Sequence, residues 1–168
     1  MAKYQEFAPN FPKIIYYDVM IRKATLKDIP SIQETIKPYA DRSEMLPRTL
    51  NDLFEHIRDF SLYEKENKIL GVAALSISWE NIAEIRSLAI LEDSLSLGIG
   101  STLVKYCLKE ARSLHAKQVF VLTYTPEFFE KLGFHQIDKE DLPQKIWKDC
   151  INCSKFPACD EQALIIEV

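Results

Sequence analysis

The chain has 168 residues, 47% hydrophobic and 27% charged, which fits one soluble domain with a real core. A net charge of −4 argues against a broad nucleic-acid surface, and no apolar run approaches the roughly 20 residues of a membrane helix. Residues 1–13 show neither an apolar signal core nor a small-residue cleavage site, so the expected location is cytoplasmic, where the four cysteines are thiols or metal ligands before they are disulfides.

Residues 1–19 carry Pro9, Pro12 and several aromatics without a clear period, and read as an N-terminal arm. The domain proper is expected over 20–168. Met20-Ile-Arg-Lys-Ala reads as a first strand, and Thr25 to Asp28 as a capping box with Asp in the usual place of Glu. Leu26, Ile29, Ile32 and Ile36 follow at helical spacing, and Pro38 is expected to end that helix. Thr49 can cap a second helix with Leu50, Leu53, Phe54 and Ile57 on its apolar side. Phe60 to Glu64 and Ile69 to Ser78 read as a hairpin across Glu66-Asn67-Lys68. Ile82 to Leu91 is a strand that pairs naturally with it. A helix with Ile99, Leu103, Cys107, Ala111 and Leu114 on one side comes next. Gln118 to Tyr124 is a nearly wholly apolar strand. Pro126 starts a short helix that Gly133 ends. A short strand from Phe134, one or two helical turns at 142–147 and a last strand at 163–168 complete the chain. The order β, α, α, β, β, β, α, β, α, β, β predicts an α/β chain with a mixed sheet and helices on both faces. No repeat or low-complexity tract interrupts it.

The most informative stretch is 83–102. A strand, a short polar loop (Glu92 to Ser96) and Gly98-Ile99-Gly100 at a helix start make an anion site. The first N–H groups of a helix lack internal partners and point outward with the positive end of the dipole. Glycine lets a phosphate come close. A Gly-x-Gly alone can equally be a tight βα turn. No Lys-Ser/Thr follows it as in a nucleotide P-loop, and no third glycine as in a dinucleotide fingerprint.

With Pro-Glu-Phe-Phe-Glu-Lys-Leu-Gly-Phe at 126–134, these residues resemble the GNAT superfamily of N-acetyltransferases over about 20–168. Ala-Glu-Ile-Arg-Ser-Leu-Ala-Ile, Val-Phe-Val-Leu-Thr-Tyr and the tail Leu-Pro-Gln-Lys-Ile-Trp-Lys-Asp-Cys-Ile-Asn-Cys are most similar to the short form of N-acetylglutamate synthase, which acetylates the α-amine of glutamate at the head of arginine biosynthesis. The resemblance implies a GNAT-like acyl-CoA N-acyltransferase fold, acetyl-CoA as cosubstrate and an amino acid as acceptor. It implies that the central strand bulges, with Leu88, Ala89 and Ile90 along the pantetheine and thioester. Gly98, Ile99, Gly100, Ser101 and Thr102 would face the phosphates. Two positions depart from the family pattern. Leu95 stands where Arg or Gln is usual three residues before the first glycine. Phe129 stands where many relatives have the Tyr that protonates the leaving thiolate.

An amine must lose a proton to attack a thioester, and a nearby carboxylate suits that task. Glu84, in the central strand at the family position, is the expected base; the plain alternative is a solvated strand glutamate. Arg86 and Arg48 are expected to bind an acceptor carboxylate, since arginine does so with two parallel hydrogen bonds; each can instead be a surface cation, and Lys155 is a weaker candidate. Tyr124 can replace the missing acid or simply pack at a strand end, and Thr123 can touch substrate or support the strand. The histidines have no Ser or Cys partner at a recognisable spacing, which favours direct attack without an acetyl-enzyme. Cys150, Cys153 and Cys159 have thiolate spacing that suits structural zinc with His135 or Asp160 as fourth ligand; three thiols in a loop is the preferred reading, and no metal is expected. Other amine acceptors (another amino acid, a polyamine, a protein N-terminus) or a non-catalytic acyl-CoA-binding module are the competing functions. Neither nucleic acid nor membrane is expected as a partner, and a homodimer is compatible with the chain.

Overall fold

A computed structural model of the chain describes residues 14–16, 19–142 and 158–168. An eight-stranded sheet is its centre, in the order β1-β2-β3-β4-β5-β6-β8-β7. The strands are β1 (Ile14–Tyr16), β2 (Val19–Lys23), β3 (Phe60–Lys65), β4 (Lys68–Trp79), β5 (Ile82–Ile90), β6 (Gln118–Thr123), β7 (His135–Ile137) and β8 (Gln162–Glu167). All neighbours are antiparallel except β5 and β6. The helices are α1 (Ile29–Asp41), α2 (Leu50–Glu55), α3 (Ile99–Ser113) and α4 (Pro126–Glu130). Within the segment expected to be an arm, Ile14–Tyr16 pairs with β2. Residues 143–147 of the expected helical turns, together with Cys150, Cys153 and Lys155, lie outside the described residues.

Two cores sandwich the sheet. Ile99, Leu103, Cys107 and Ala111 of α3 recur three or four apart and pack on Ala73, Leu75, Ala83 and Ile85. Ile29, Ile32 and Ile36 of α1, with Leu53 of α2, pack on Val72, Ala74 and Ala89 from the other side. Each fully buried leucine or isoleucine contributes about 1.5–3 kcal/mol of transfer free energy. The β3–β4 turn is the two residues Glu66-Asn67, at φ 50° and 60°, the twist that a tight hairpin needs.

Three local expectations are corrected. Helix α1 runs through Pro38 to Asp41. Proline removes one bond, to the carbonyl of exposed Glu34, which water can satisfy. The extra turn is held from outside, because Tyr39 Oη donates to Ile90 O at 2.7 Å. Leu26 is exposed, because Leu26–Asp28 forms a 3₁₀ turn ahead of α1 and does not share its buried face. Leu50 and Phe54 are also exposed, since α2 has only six residues and its inward side is used by Leu53. The Thr25–Asp28 box does form: Thr25 N donates to Asp28 Oδ2 at 2.7 Å.

Candidate active site

The site begins where β5 and β6 separate. Their ladder pairs Ile82 with Gln118, Ala83 with Val119 and Glu84 with Phe120, and ends there, while β5 runs on to Ile90 and β6 to Thr123. Strands that diverge leave inward-facing N–H and C=O groups for a ligand to pair with.

β5 also carries a bulge. Ala74 pairs with Arg86 and Val72 with Ala89, so Ser87 and Leu88 together oppose Ala73. Ser87 takes up the extra residue at φ 53°, an unusual conformation for a side-chain-bearing residue. Its hydroxyl is buried and accepts a hydrogen bond from Arg48 Nε at 3.2 Å. Arg48 Nη1 bonds Asp52 Oδ2 at 3.2 Å, and His56 Nδ1 lies 3.2 Å from Asp52 Oδ1. Thr49 caps α2 by accepting from Asp52 N, which sets Asp52 one turn from Arg48.

The glycine turn follows. Gly98 is left-handed at φ 75°, a conformation that glycine adopts without strain. The first helical bond of α3 is Thr102 N to Gly98 O at 3.1 Å. The N–H groups of Ile99, Gly100 and Ser101 therefore precede the helical ladder and point out of it. The hydroxyls of Ser101 and Thr102 both donate to Gly98 O at 2.8 Å, so backbone amides are the donors this turn presents. Gly71 on β4 lets α3 come close: a Cβ there would stand 2.7 Å from Ile90 Cδ1 and 2.9 Å from Ile99 Cγ2.

Bulge and glycine turn open into one cavity of about 480 Å³. Of the residues expected to meet the cosubstrate, Leu88, Ile90, Gly98, Ile99, Gly100 and Ser101 line it. Ala89 turns its methyl into the α1 core, and Thr102 lies further into α3. Ser94, Leu95 and Ser96 of the loop before the glycines also line it, and so do Tyr39, Thr125 and Phe128, which the sequence does not single out. Phe128 had a signal, being the neighbour of Phe129; Tyr39 had none, since it lies beyond a proline expected to end its helix. Leu95 itself is exposed.

Phe129 is buried edge-on against Phe128 and Phe134, with centroids 4.9 and 5.4 Å away. Tyr124 is half-buried at the end of β6, and Thr123 Oγ1 accepts from Thr125 N at 3.0 Å. Glu84 and Arg86 share the strand face that includes Ser76 and Ala74, their partners on β4. Asp59 lies near this face: burial raises its pKa, opposed first by the charge of Arg86. Cys107 is fully buried in α3, and burial pushes its thiol up to about 12. Cys159 Sγ approaches Glu161 Oε2 at 3.6 Å. Among the described residues no group of three or more His, Cys, Asp and Glu side chains is arranged to hold a metal.

The Acetyltransferase (GNAT) family profile matches residues 26–134. The chain belongs to this family. An uncharacterized N-acetyltransferase from Chlorobaculum tepidum is 40% identical over 88% of this chain and 96% of its own length. The amino-acid acetyltransferase of Mycobacterium tuberculosis is 31% identical over 77% of this chain and 76% of its own. Among solved structures, N-acetylglutamate synthase from Neisseria gonorrhoeae, complexed with coenzyme A and N-acetyl-glutamate, superposes with a TM-score of 0.81 at 28% identity. It covers 89% of this chain, which spans only 35% of that longer protein. A Mycobacterium tuberculosis protein in complex with CoA superposes with a TM-score of 0.77 at 25% identity, over 88% of this chain and 98% of its own. The GNAT fold and an N-acetyltransferase activity follow from this membership.

Proposed function

We propose that this protein transfers the acetyl group of acetyl-CoA to the α-amine of an amino acid, with L-glutamate as the acceptor and arginine biosynthesis as the setting. The observation that carries the cosubstrate is the single cavity joining the bulge of β5 to the amides at the start of α3. The likeness to amino-acid acetyltransferases supports the acceptor class, as does the placement of Glu84 and Arg86 on one face of β5 where β6 diverges from it.

In this reading the pyrophosphate lies against the Ile99, Gly100 and Ser101 amides, whose dipole compensates for the cation missing at Leu95. The pantetheine follows β5 into the gap left by β6. Backbone N–H groups near Leu88 to Ile90 polarise the thioester oxygen and bond it more strongly as negative charge develops. Glu84, in the last paired position before the divergence, takes the proton of the ammonium through water. The neutral amine attacks the thioester carbon, the tetrahedral centre gives up a second N–H proton to water and collapses, and the C–S bond breaks. Tyr124, or water, protonates the departing thiolate. Arg86 orients an acceptor carboxylate. Arg48, engaged with Ser87 and Asp52, holds the bulge and adds positive charge beside the acceptor. Cys107 is no nucleophile in this scheme, because a thiol titrating near 12 is protonated at neutral pH and its side chain is sealed in the core.

The test is thiol release from acetyl-CoA with a panel of amino acids, polyamines and N-terminal peptides. Turnover with glutamate well above the rest is expected. Preference for a polyamine or a peptide would replace the acceptor, and no turnover alongside tight CoA binding would favour a binding module.

A further inference from the structure

The feature the scheme above leaves unused is Tyr39. It sits one residue past Pro38, in the last turn of α1, and lines the same cavity as the glycine turn. Its hydroxyl donates to Ile90 O at 2.7 Å, at the end of the strand along which the pantetheine is placed. The ring is held from a second direction. Arg42 lies 5.0 Å from its centroid, at cation–π range, and is itself fixed by Glu44 at 3.0 Å and Glu92 at 2.7 Å. Glu92 belongs to the turn that leaves β5 for the glycine loop, so the end of α1 is tied to both halves of the site.

A phenol has one proton to give. With that proton on Ile90 O, the lone pairs of Tyr39 Oη remain as acceptors. Any ligand group that meets this hydroxyl must therefore be a donor. Thiols, phosphates and thioesters are poor matches at this point; an amide N–H is a good one. Resting on the acetyl-CoA reading, we propose that Tyr39 is a pantetheine-binding residue: its hydroxyl accepts a hydrogen bond from an amide N–H of the pantetheine arm while its ring walls the cavity. The same contact explains why α1 continues through a proline. The turn beyond Pro38 is needed to carry this side chain to the cosubstrate channel, and the bond to Ile90 O compensates for the bond lost at the proline.

The experiment compares two ligands on two proteins. CoA carries the pantetheine arm, and adenosine 3′,5′-bisphosphate lacks it. Tyr39→Phe keeps the ring and removes the acceptor. Titration calorimetry is expected to show CoA binding weakened by roughly 3- to 10-fold, the scale of one neutral hydrogen bond, with the bisphosphate unaffected. Equal CoA affinity in parent and variant overturns the proposal while leaving the acetyl-CoA reading intact. An equal loss for both ligands also overturns it, since Tyr39 would then act by holding Ile90 and the glycine loop in place. Parent protein that binds neither ligand overturns the cosubstrate reading and the proposal with it. Apo thermal unfolding of Tyr39→Phe monitors the strand: a lowered midpoint with the ligand-selective loss intact supports both functions of the hydroxyl, and a lowered midpoint without that selectivity counts against the ligand contact.

Discussion

Arg48 Nε donates to Ser87 Oγ at 3.2 Å, joining the start of the second helix to the one residue of the central strand held at positive φ. The bond explains how a serine tolerates a conformation that glycine or asparagine would adopt more readily. The guanidinium bonds Asp52 with a second nitrogen, and a lysine ammonium cannot reproduce that fork. Arg48→Lys is therefore expected to lower kcat about 10-fold, about the worth of one charged hydrogen bond, while acceptor KM and CoA affinity change little. Steady-state kinetics check it. A rise confined to acceptor KM would instead make Arg48 the carboxylate ligand.

Gly100 stands against the aromatic wall: a Cβ there would lie 3.3 Å from Phe128 Cζ. Gly100→Glu adds that contact and a negative charge beside the amides proposed to hold the pyrophosphate. Like charges so placed cost several kcal/mol, so CoA affinity is expected to fall ~100-fold or more. Gly100→Ala, which meets only the ring, should fall much less. Calorimetric titration of both variants decides whether the phosphates lie here.

Most of the fold was legible because its signals are local. The α3 stripe, the apolar β6, the Thr49 cap and the Glu66-Asn67 turn each depend on residues a few positions apart. The glycine turn was legible for the same reason. What the pattern missed depends on distant contacts. Tyr39 is useful only because Ile90, 51 positions away, accepts its hydrogen bond. Gly71 reads as an ordinary strand glycine, yet its missing Cβ makes room for Ile90 and Ile99 and so sets the height of α3 above the sheet. Ala89 follows Leu88 in the strand but turns into the other core, an alternation whose phase after the Ser87 bulge no spacing rule supplies. Leu50 and Phe54 show the opposite failure, because helical spacing says which residues share a side but not that a six-residue helix has only one narrow side to bury.

Arg22 and Asp28 give the fold a defined response to acid. Arg22 bonds both oxygens of Asp28 at 2.8 Å, and Thr25 N adds a third bond at 2.7 Å. The Arg22 bond, with that from Thr25, outweighs burial and holds the Asp28 carboxyl at about 2 against an ordinary 3.8. A carboxylate whose folded pKa is depressed contributes stability that is present above its unfolded pKa and disappears as pH falls through the folded one. Asp28 thus contributes on the order of 2 kcal/mol at neutral pH, lost between about pH 4 and pH 2. Asp28→Asn should lower unfolding stability at pH 7 and flatten the acid limb in that window. Denaturant unfolding from pH 7 down to pH 2 checks both.

Glu84 holds the last rung that β5 shares with β6, opposite Phe120. A side chain there is fixed by strands on both sides, while the next residues of β5 border an opening. A general base needs that combination of a rigid mount and an adjacent space for the acceptor amine and a water. Glu84→Gln keeps the shape and hydrogen-bonding reach of the side chain and removes its basicity. kcat is expected to fall ~10²–10⁴-fold, the usual worth of a positioned base, with CoA affinity unchanged because the cavity lining is untouched. Raising the pH should restore part of the rate in the variant, since the free ammonium then loses its proton to solvent before it binds. The rate of Glu84→Gln should accordingly keep rising with pH beyond the point where the parent reaches its plateau. Parental kcat in Glu84→Gln at neutral pH would move the base elsewhere, with Asp59 the first residue to substitute next. Ping-pong kinetics in the parent would remove direct attack altogether, because they report an acetyl-enzyme, whose nucleophile would have to be a residue other than Cys107, sealed in its helix.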